Sequence, residues 1–233
     1  MPLTKLTITG ADDDTNLEDM MEISWYHRFV EWGILFGKDE KLGTPRYPSM
    51  KWITELLTDV EEEWGEIQIA AHLCHPWPQR LANNQLTWKE IALLDQFNRI
   101  QINKSYQNTN RDEILNLFRA SSNTLKPIIF QNNGTLPVEL LIGNIISPFV
   151  LFDCSGGKGI EIRKYPDPIV EGAMCGYAGG IGPDNIEKVI KEINEKYPKL
   201  NFWLDMETNV RTDEKLDFAK VEQVLEIVNE YIS

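Results

Sequence analysis

Eight apolar runs of strand length recur through the 233 residues, with segments of helical character between them. The runs are Leu3–Thr9, Val30–Phe36, Glu66–Cys74, Ile100–Asn103, Pro127–Gln131, Phe149–Asp153, Ala173–Tyr177 and Phe202–Met206. Strands that alternate with helices belong side by side and parallel, because each helix carries the chain back to the start of the next strand. Eight such units in a chain of this length predict a closed (β/α)8 TIM barrel of the α/β class rather than an open sheet. No linker, low-complexity tract or internal repeat interrupts them, so one barrel domain spanning 1–233 is expected.

The helical segments carry their own start signals. Thr15-Asn16-Leu17-Glu18 and Thr87-Trp88-Lys89-Glu90 have the spacing of capping boxes. Asn110 to Glu113 caps another helix, and Pro183 suits the first turn of the seventh. Helical spacing predicts buried faces at Met50, Ile53, Leu57 and Val60, at Ile186, Val189, Ile190 and Ile193, and at Phe218, Val221, Leu225 and Val228. Ile160–Pro168 has no helical period, so the sixth helix is expected to be short or absent. Trp25, Trp32, Trp52, Trp64, Trp88 and Trp203 read as packing residues. Cys74–Gln85 is long enough for a lid, and Trp77 between two prolines is a candidate to close over a ligand.

A formal charge of −13 disfavours nucleic acid as a partner, since phosphate backbones are bound by basic surfaces. Three widely spaced cysteines without a CxxC pair argue for a reducing compartment. No apolar run reaches membrane-spanning length, and Met1–Lys5 lacks a secretory h-region, so a cytoplasmic protein without a membrane partner is expected. No cofactor motif or metal-ligand spacing stands out. Monomer and homodimer both remain open.

Two glycine-rich strand ends are the strongest chemical signal. Asp153-Cys154-Ser155-Gly156-Gly157-Lys158-Gly159 follows the sixth run, and Gly176-Tyr177-Ala178-Gly179-Gly180-Ile181-Gly182 follows the seventh. Glycine turns leave backbone N–H groups free to surround an anion, and the start of a following helix adds a positive field. Barrels commonly hold phosphate at the C-terminal rim of their last two strands. A phosphorylated small molecule is therefore the expected ligand, with Lys158, Arg46 and Arg211 as candidate cations.

Five segments in order resemble phosphoribosylanthranilate isomerase. Thr44-Pro45-Arg46-Tyr47-Pro48-Ser49 is similar to that family's S-P-R-Y-V-S, and Gln101-Ile102-Asn103 to its Q-L-H. Asp153 with Gly156–Gly159 resembles its Asp and G-G-T-G loop. Ala178-Gly179-Gly180-Ile181-Gly182-Pro183-Asp184-Asn185 resembles A-G-G-L-T-P-E-N, and Asp205-Met206-Glu207-Thr208-Asn209-Val210-Arg211 sits where the family has D-V-S-S-G-V-E.

The resemblance implies an Amadori rearrangement, with Asp153 as general acid and Gly156, Gly157, Lys158, Gly159, Gly179, Gly180 and Asn209 around the phosphate. It makes Arg46, Gln101, Asp205 and Glu207 candidates for substrate binding. Asn209 replaces a glycine, a substitution that a left-handed backbone tolerates. The family's catalytic cysteine corresponds to Thr9, whose hydroxyl needs another group to take its proton.

Other rim residues are candidates for that role. His72 lies near the end of the third run, as a base or as a hydrogen-bonded core residue. Asp205 and Glu207 alternate, which aims both carboxylates into the barrel mouth and suits a cationic or hydroxyl-rich group. Asp12-Asp13-Asp14 reads as a solvated loop leading to the Thr15 cap, with a cation site or raised-pKa base as the alternative. The leading expectation is an isomerase or lyase acting on a phosphorylated sugar-like molecule by acid/base catalysis. A phosphosugar-binding protein without catalysis, or a subunit docking a partner enzyme, are the alternatives.

Overall fold

The computed structural model describes residues 3–59, 67–122, 126–145, 149–153, 165–169 and 174–232. Eight parallel strands form the sheet: β1 (Leu3–Thr9), β2 (Val30–Phe36), β3 (Gln68–Leu73), β4 (Arg99–Ile102), β5 (Ile128–Asn132), β6 (Phe149–Asp153), β7 (Cys175–Ala178) and β8 (Phe202–Met206). They pair in sequence order, and β8 returns to β1 through pairs such as Leu6–Leu204 and Ile8–Met206, so the sheet is a closed barrel. The helices are α1 (Leu17–Tyr26), α2 (Met50–Asp59), α3 (Trp77–Ala82), α4 (Trp88–Leu94), α5 (Arg111–Ser122), α6 (Val138–Asn144), α7 (Ile186–Lys196) and α8 (Phe218–Val228). A two-stranded ribbon, β9 (Arg211–Thr212) with β10 (Lys215–Leu216), follows β8.

Strand alternation sorts the side chains into two compartments. Outward residues such as Leu6, Ile8, Trp32, Ile34, Ile100, Phe130 and Leu204 join the helices in the main core. Inside the barrel, Ile129, Leu151, Ala178 and Trp203 form a smaller apolar wall, with Phe149 and Met174 against it. The opposite wall is polar. Glu31, fully buried, accepts from Lys5 Nζ at 3.2 Å, Thr7 Oγ1 at 3.0 Å and Arg99 Nε at 2.8 Å, and Arg99 Nη2 closes a second bond to it. Burial pushes the Glu31 carboxyl up, but Arg99, with Lys5 and Thr7, outweighs it and holds the group below the ordinary carboxylate range. The Arg99 guanidinium also lies 4.9 Å above the Trp203 ring, joining the two walls.

Glycine provides interior space at two points. A Cβ on Gly33 would lie 2.3 Å from Thr9 Oγ1 and 2.7 Å from His72 Cε1; one on Gly176 would lie 2.2 Å from the Trp203 ring. Both strands can thus carry large or polar neighbours across the barrel axis.

Several local readings are corrected. Thr15 does not cap α1. Asn16 does, accepting from Glu18 N at 2.9 Å, because the Thr15 hydroxyl is drawn back to Asp12 N at 2.9 Å. Thr87–Glu90 does form a capping box, and Asn110 accepts from Glu113 N. On α2, Ile53 and Leu57 are buried as expected, together with Trp52 and Leu56, but Met50 at the first turn is exposed; Val60 lies outside the described residues. Trp25 and Trp88 are exposed with cations over their rings, whereas Trp32, Trp52 and Trp203 are buried; Trp64 is outside the described residues. Pro183 sits in the turn ahead of α7, whose first residue is Ile186.

The proposed lid is helix α3, packed and buried at Trp77 and Ala82. The Trp77 indole donates to Gly37 O at 3.0 Å and meets Phe36 edge to face, so it is a core residue and not a ligand cover. β4, β5 and β7 sit one or two residues from the expected runs, and Glu66 and Ala173 are outside the described residues. So are 160–164; the described stretch 165–169 carries no helix.

Removing Glu31 would leave two cations facing each other inside the barrel. Glu31→Ala is expected to lower the unfolding free energy by roughly 3–5 kcal/mol, the cost of breaking a buried pair from one side. Urea unfolding measures it, and a loss below about 1 kcal/mol would sink this account.

Candidate active site

A cavity of about 540 Å³ opens at the C-terminal ends of the strands. Thr9, His72, Gln101, Gln131, Asp153 and Asp205 reach its floor from six strands; Lys41, Arg46, Tyr47, Glu207 and Asn209 line its upper part. Asp153, Ala178 and Asp205 are consecutive partners across β6, β7 and β8. Strand spacing therefore puts the two carboxylate-bearing Cα atoms about 10 Å apart, with only a methyl group between.

Asp205 is a strongly perturbed carboxyl of the site. It accepts from Thr9 Oγ1 at 2.8 Å and from Gln101 Nε2 at 3.4 Å. Burial pushes it up to about 8, with the neighbouring charges of Asp153 and Glu207 in the same direction, against the hydrogen bonds from Thr9 and Gln101. It holds a proton at neutral pH. Asp153 is buried beside it and accepts from Gln131 Nε2 at 2.8 Å. Thr9 is thus bonded to a protonated carboxyl and, among the described residues, has no base beside it to take its proton.

His72 leans over Gly33, and its Nδ1 lies 3.3 Å from Gln101 Nε2. An amide NH₂ at that position assigns the lone pair to Nδ1 and the ring proton to Nε2. Burial lowers the imidazole to about 4, the Arg99 charge working the same way against Glu31. At neutral pH it is uncharged and a poor proton acceptor. The base expected at His72 is better sought at the carboxylates.

Glu207 accepts from Arg46 Nη1 at 2.9 Å. Burial raises its carboxyl even though Arg46 and Arg211 oppose the shift. Arg46 is held at φ 76°, an uncommon backbone for a non-glycine residue, and its N–H donates to Asp12 Oδ2 at 2.8 Å. Arg211 also donates to Asp12 Oδ2, at 2.8 Å, and to the carbonyls of Gly10 and Glu214. It is buried in that ion pair and does not line the cavity; its charge reaches the site only through Glu207.

The three aspartates diverge as well. Asp12 holds Arg211, Asp13 accepts from Ser49 N and Oγ, and Asp14 pairs with Lys215 at 3.1 Å. They tie rim loops together and are neither a cation site nor a merely solvated loop. Among the described residues no group of three or more His, Cys, Asp or Glu is placed to hold a metal.

In the loop after β7, Gly179 and Gly180 have φ 123° and 61°, where a side chain is strained. The Gly180 carbonyl accepts from Asn185 Nδ2 at 2.8 Å and from Asn209 Nδ2 at 2.7 Å. Asn209 lies in a short 3-10 turn, Thr208–Val210, with no left-handed backbone. Its role is a side-chain latch between the β7 and β8 loops, seated where a Cβ on Gly182 would come 2.5 Å from its own. The companion loop with Gly156, Gly157, Lys158 and Gly159 lies outside the described residues. No described helix is long and apolar enough to cross a membrane.

Sequence reasoning missed Lys41, Asn103, Ser105, Gln131 and Asn133, all of which line the cavity. Polar residues at alternate positions running off the end of an apolar strand were the available signal: Gln101, Asn103 and Ser105 along and past β4, and Gln131 and Asn133 along and past β5.

No protein-family profile and no curated protein matches the chain. Solved structures do. N-(5'-phosphoribosyl)anthranilate isomerase from Pyrococcus furiosus is 16% identical, covers 97% of this chain and 99% of its own, and superposes with a TM-score of 0.56. The phospho-2-dehydro-3-deoxyheptonate aldolase (DAHP synthase) of Thermotoga maritima is 11% identical over 98% and 68% of the two chains, with a TM-score of 0.55. An enolase protein from Sargasso Sea environmental sequencing is 15% identical over 91% and 56%, with a TM-score of 0.51. At such identities the likeness is one of fold, which three differently named proteins share.

The raised Asp205 carboxyl has a stability signature. Its folded value of about 8 exceeds the ordinary aspartate value of about 3.9, so its contribution is complete below the latter and lost as pH rises through the former. Asp205→Asn, which cannot ionise, is expected to gain in melting temperature over the parent between about pH 4 and 8 and to level off above that. Parallel melting curves over that range would refute the assignment.

Proposed function

We propose that the chain is an isomerase that shifts a proton within a phosphorylated sugar-like molecule. The observation that supports this best is the carboxyl pair on β6 and β8: Asp205 buried, protonated at neutral pH and bonded to Thr9, with Asp153 across the Ala178 gap. Two carboxyl groups in unlike environments are the arrangement that lets one donate while the other accepts. Asp205 is the acid in this reading and Asp153 takes up the substrate proton, with the roles exchanged in the reverse direction. Thr9 orients Asp205 and replaces the cysteine of the family that the sequence resembles.

The phosphate is held by the backbone of Gly179 and Gly180, by the loop containing Gly156, Gly157, Lys158 and Gly159, and by Lys41 from the rim. Arg46 and Glu207, joined as an ion pair, face the rest of the substrate together with Gln101. The names of two neighbours of like fold, an isomerase of a phosphoribosyl compound and an aldolase of a phosphorylated sugar acid, support a phosphorylated substrate. The single domain 1–233 is part of the same proposal.

Proton transfer is read directly as deuterium incorporation. The protein is incubated in D₂O with a panel of pentose and hexose phosphates and with freshly generated phosphoribosylanthranilate, followed by ¹H NMR. At least one compound is expected to exchange, with both Asp153→Asn and Asp205→Asn lowering the rate by about 10²-fold or more. The rate should fall as pH rises through about 8, where Asp205 loses its proton, and that limb should vanish in Asp205→Asn. Exchange in no compound, or full exchange in both variants, would overturn the reading.

A further inference from the structure

One wall of the cavity is made almost wholly of carboxamides. Gln101 and Asn103 follow one another at alternate positions along and just past β4, and Gln131 and Asn133 do so at β5. β4 and β5 pair directly, Gln101 beside Ile129 and Ile102 beside Phe130, so the continuing register sets Asn103 beside Gln131 and the four amides form one staggered polar face. Their internal bonds use only part of their capacity. Gln101 Nε2 lies 3.0 Å from Asn103 Oδ1, Gln131 Nε2 donates to Asp153, and Asn133 Oδ1 accepts from Thr135 Oγ1 at 2.6 Å. The acceptors Gln101 Oε1 and Gln131 Oε1 and the donor Asn133 Nδ2 have no protein partner among the described residues. None of the three is among the sealed, unsatisfied atoms of the interior, so they front the cavity.

Asp205 and Glu207 add further polar groups across from this wall. Apolar lining is scattered, and the aromatic rings among the described lining residues are the His72 imidazole on the floor and Tyr47, which has Lys41 4.7 Å over one face.

We propose that this amide wall specifies the part of the substrate beyond its phosphate as a polyhydroxyl chain, making the substrate a sugar phosphate rather than a phosphoribosyl aromatic amine. The proposal rests on the isomerase reading above and narrows it. A row of hydroxyls is donor and acceptor at each carbon, which matches a wall presenting both kinds of open valence side by side. A benzoate ring laid there would cover two acceptors and a donor without bonding any of them, and a buried polar group left unmade costs more than the same group in water. Sites built to bond hydroxyls reject analogues that lack them far more strongly than apolar slots reject an added hydroxyl.

Isothermal titration with four probes tests this: inorganic phosphate, ribose 5-phosphate, ribitol, and the reduced, stable form of the phosphoribosylanthranilate isomerase product. Ribose 5-phosphate is expected to bind at least about tenfold more tightly than either phosphate or the aromatic compound, one lost hydrogen bond being worth about that factor. Asn133→Ala and, separately, Asn103→Ala should weaken ribose 5-phosphate about tenfold and leave phosphate unchanged. An aromatic compound that binds as well as the sugar phosphate overturns the proposal while leaving the phosphate reading intact. Ribitol binding that equals ribose 5-phosphate and responds to Asn133→Ala supports the wall and removes the phosphate. Binding of none of the four overturns both.

Discussion

The buried carboxylate of Glu31 holds the polar half of the barrel together. A closed parallel barrel normally fills its interior with branched apolar side chains. Here Lys5 and Thr7 of β1, Glu31 of β2 and Arg99 of β4 converge instead, and Arg99 lies across the Trp203 ring to reach the apolar half. Such a cluster holds only when every charge finds its partner, since desolvation of an unpaired ion outweighs most of what packing contributes. It fixes the register of the strands on which the cavity floor is built, and it keeps positive charge under that floor.

The layer above depends on what is missing from the chain as much as on what is present. Gly33 lacks the Cβ that would collide with Thr9 and His72, so a threonine and an imidazole can share the axis. Ala178 leaves open the gap between Asp153 and Asp205. Buried at the cavity floor with donors only from Thr9 and Gln101, Asp205 retains its proton where an exposed aspartate would not. The same burial drives His72 the other way, toward the uncharged ring. One environment thus makes an acid of a carboxyl and a neutral donor of a histidine.

Charge at the rim is largely consumed by architecture. Asp12, Arg211, Asp13 and Asp14 read as free charges along the chain, yet each is committed to joining loops that come from distant positions. The helix starts at Thr87 and Asn110 were legible because their bonds are local, within three residues. Thr15 failed by the same logic, since a tertiary loop competed for its hydroxyl and Asn16 took over the cap. Helix α2 buries Ile53 and Leu57 as its period predicts, with Trp52 and Leu56 widening the same face; only Met50, in its first turn, is left outside.

The sequence by itself determined the eight-fold alternation of strand and helix, and with it the barrel, because periodicity in a chain reports which face of each element avoids water. It also determined that Asp153, Asp205 and Gln101 end on strands at one rim, since alternation and parallel pairing leave no other place for them. Only the tertiary structure decided which charges remain for chemistry. A carboxyl's proton affinity depends on solvent exclusion and on neighbours nearly two hundred residues away, such as Thr9 beside Asp205. That distance in the chain is a hydrogen bond in the fold, and no local pattern encodes it.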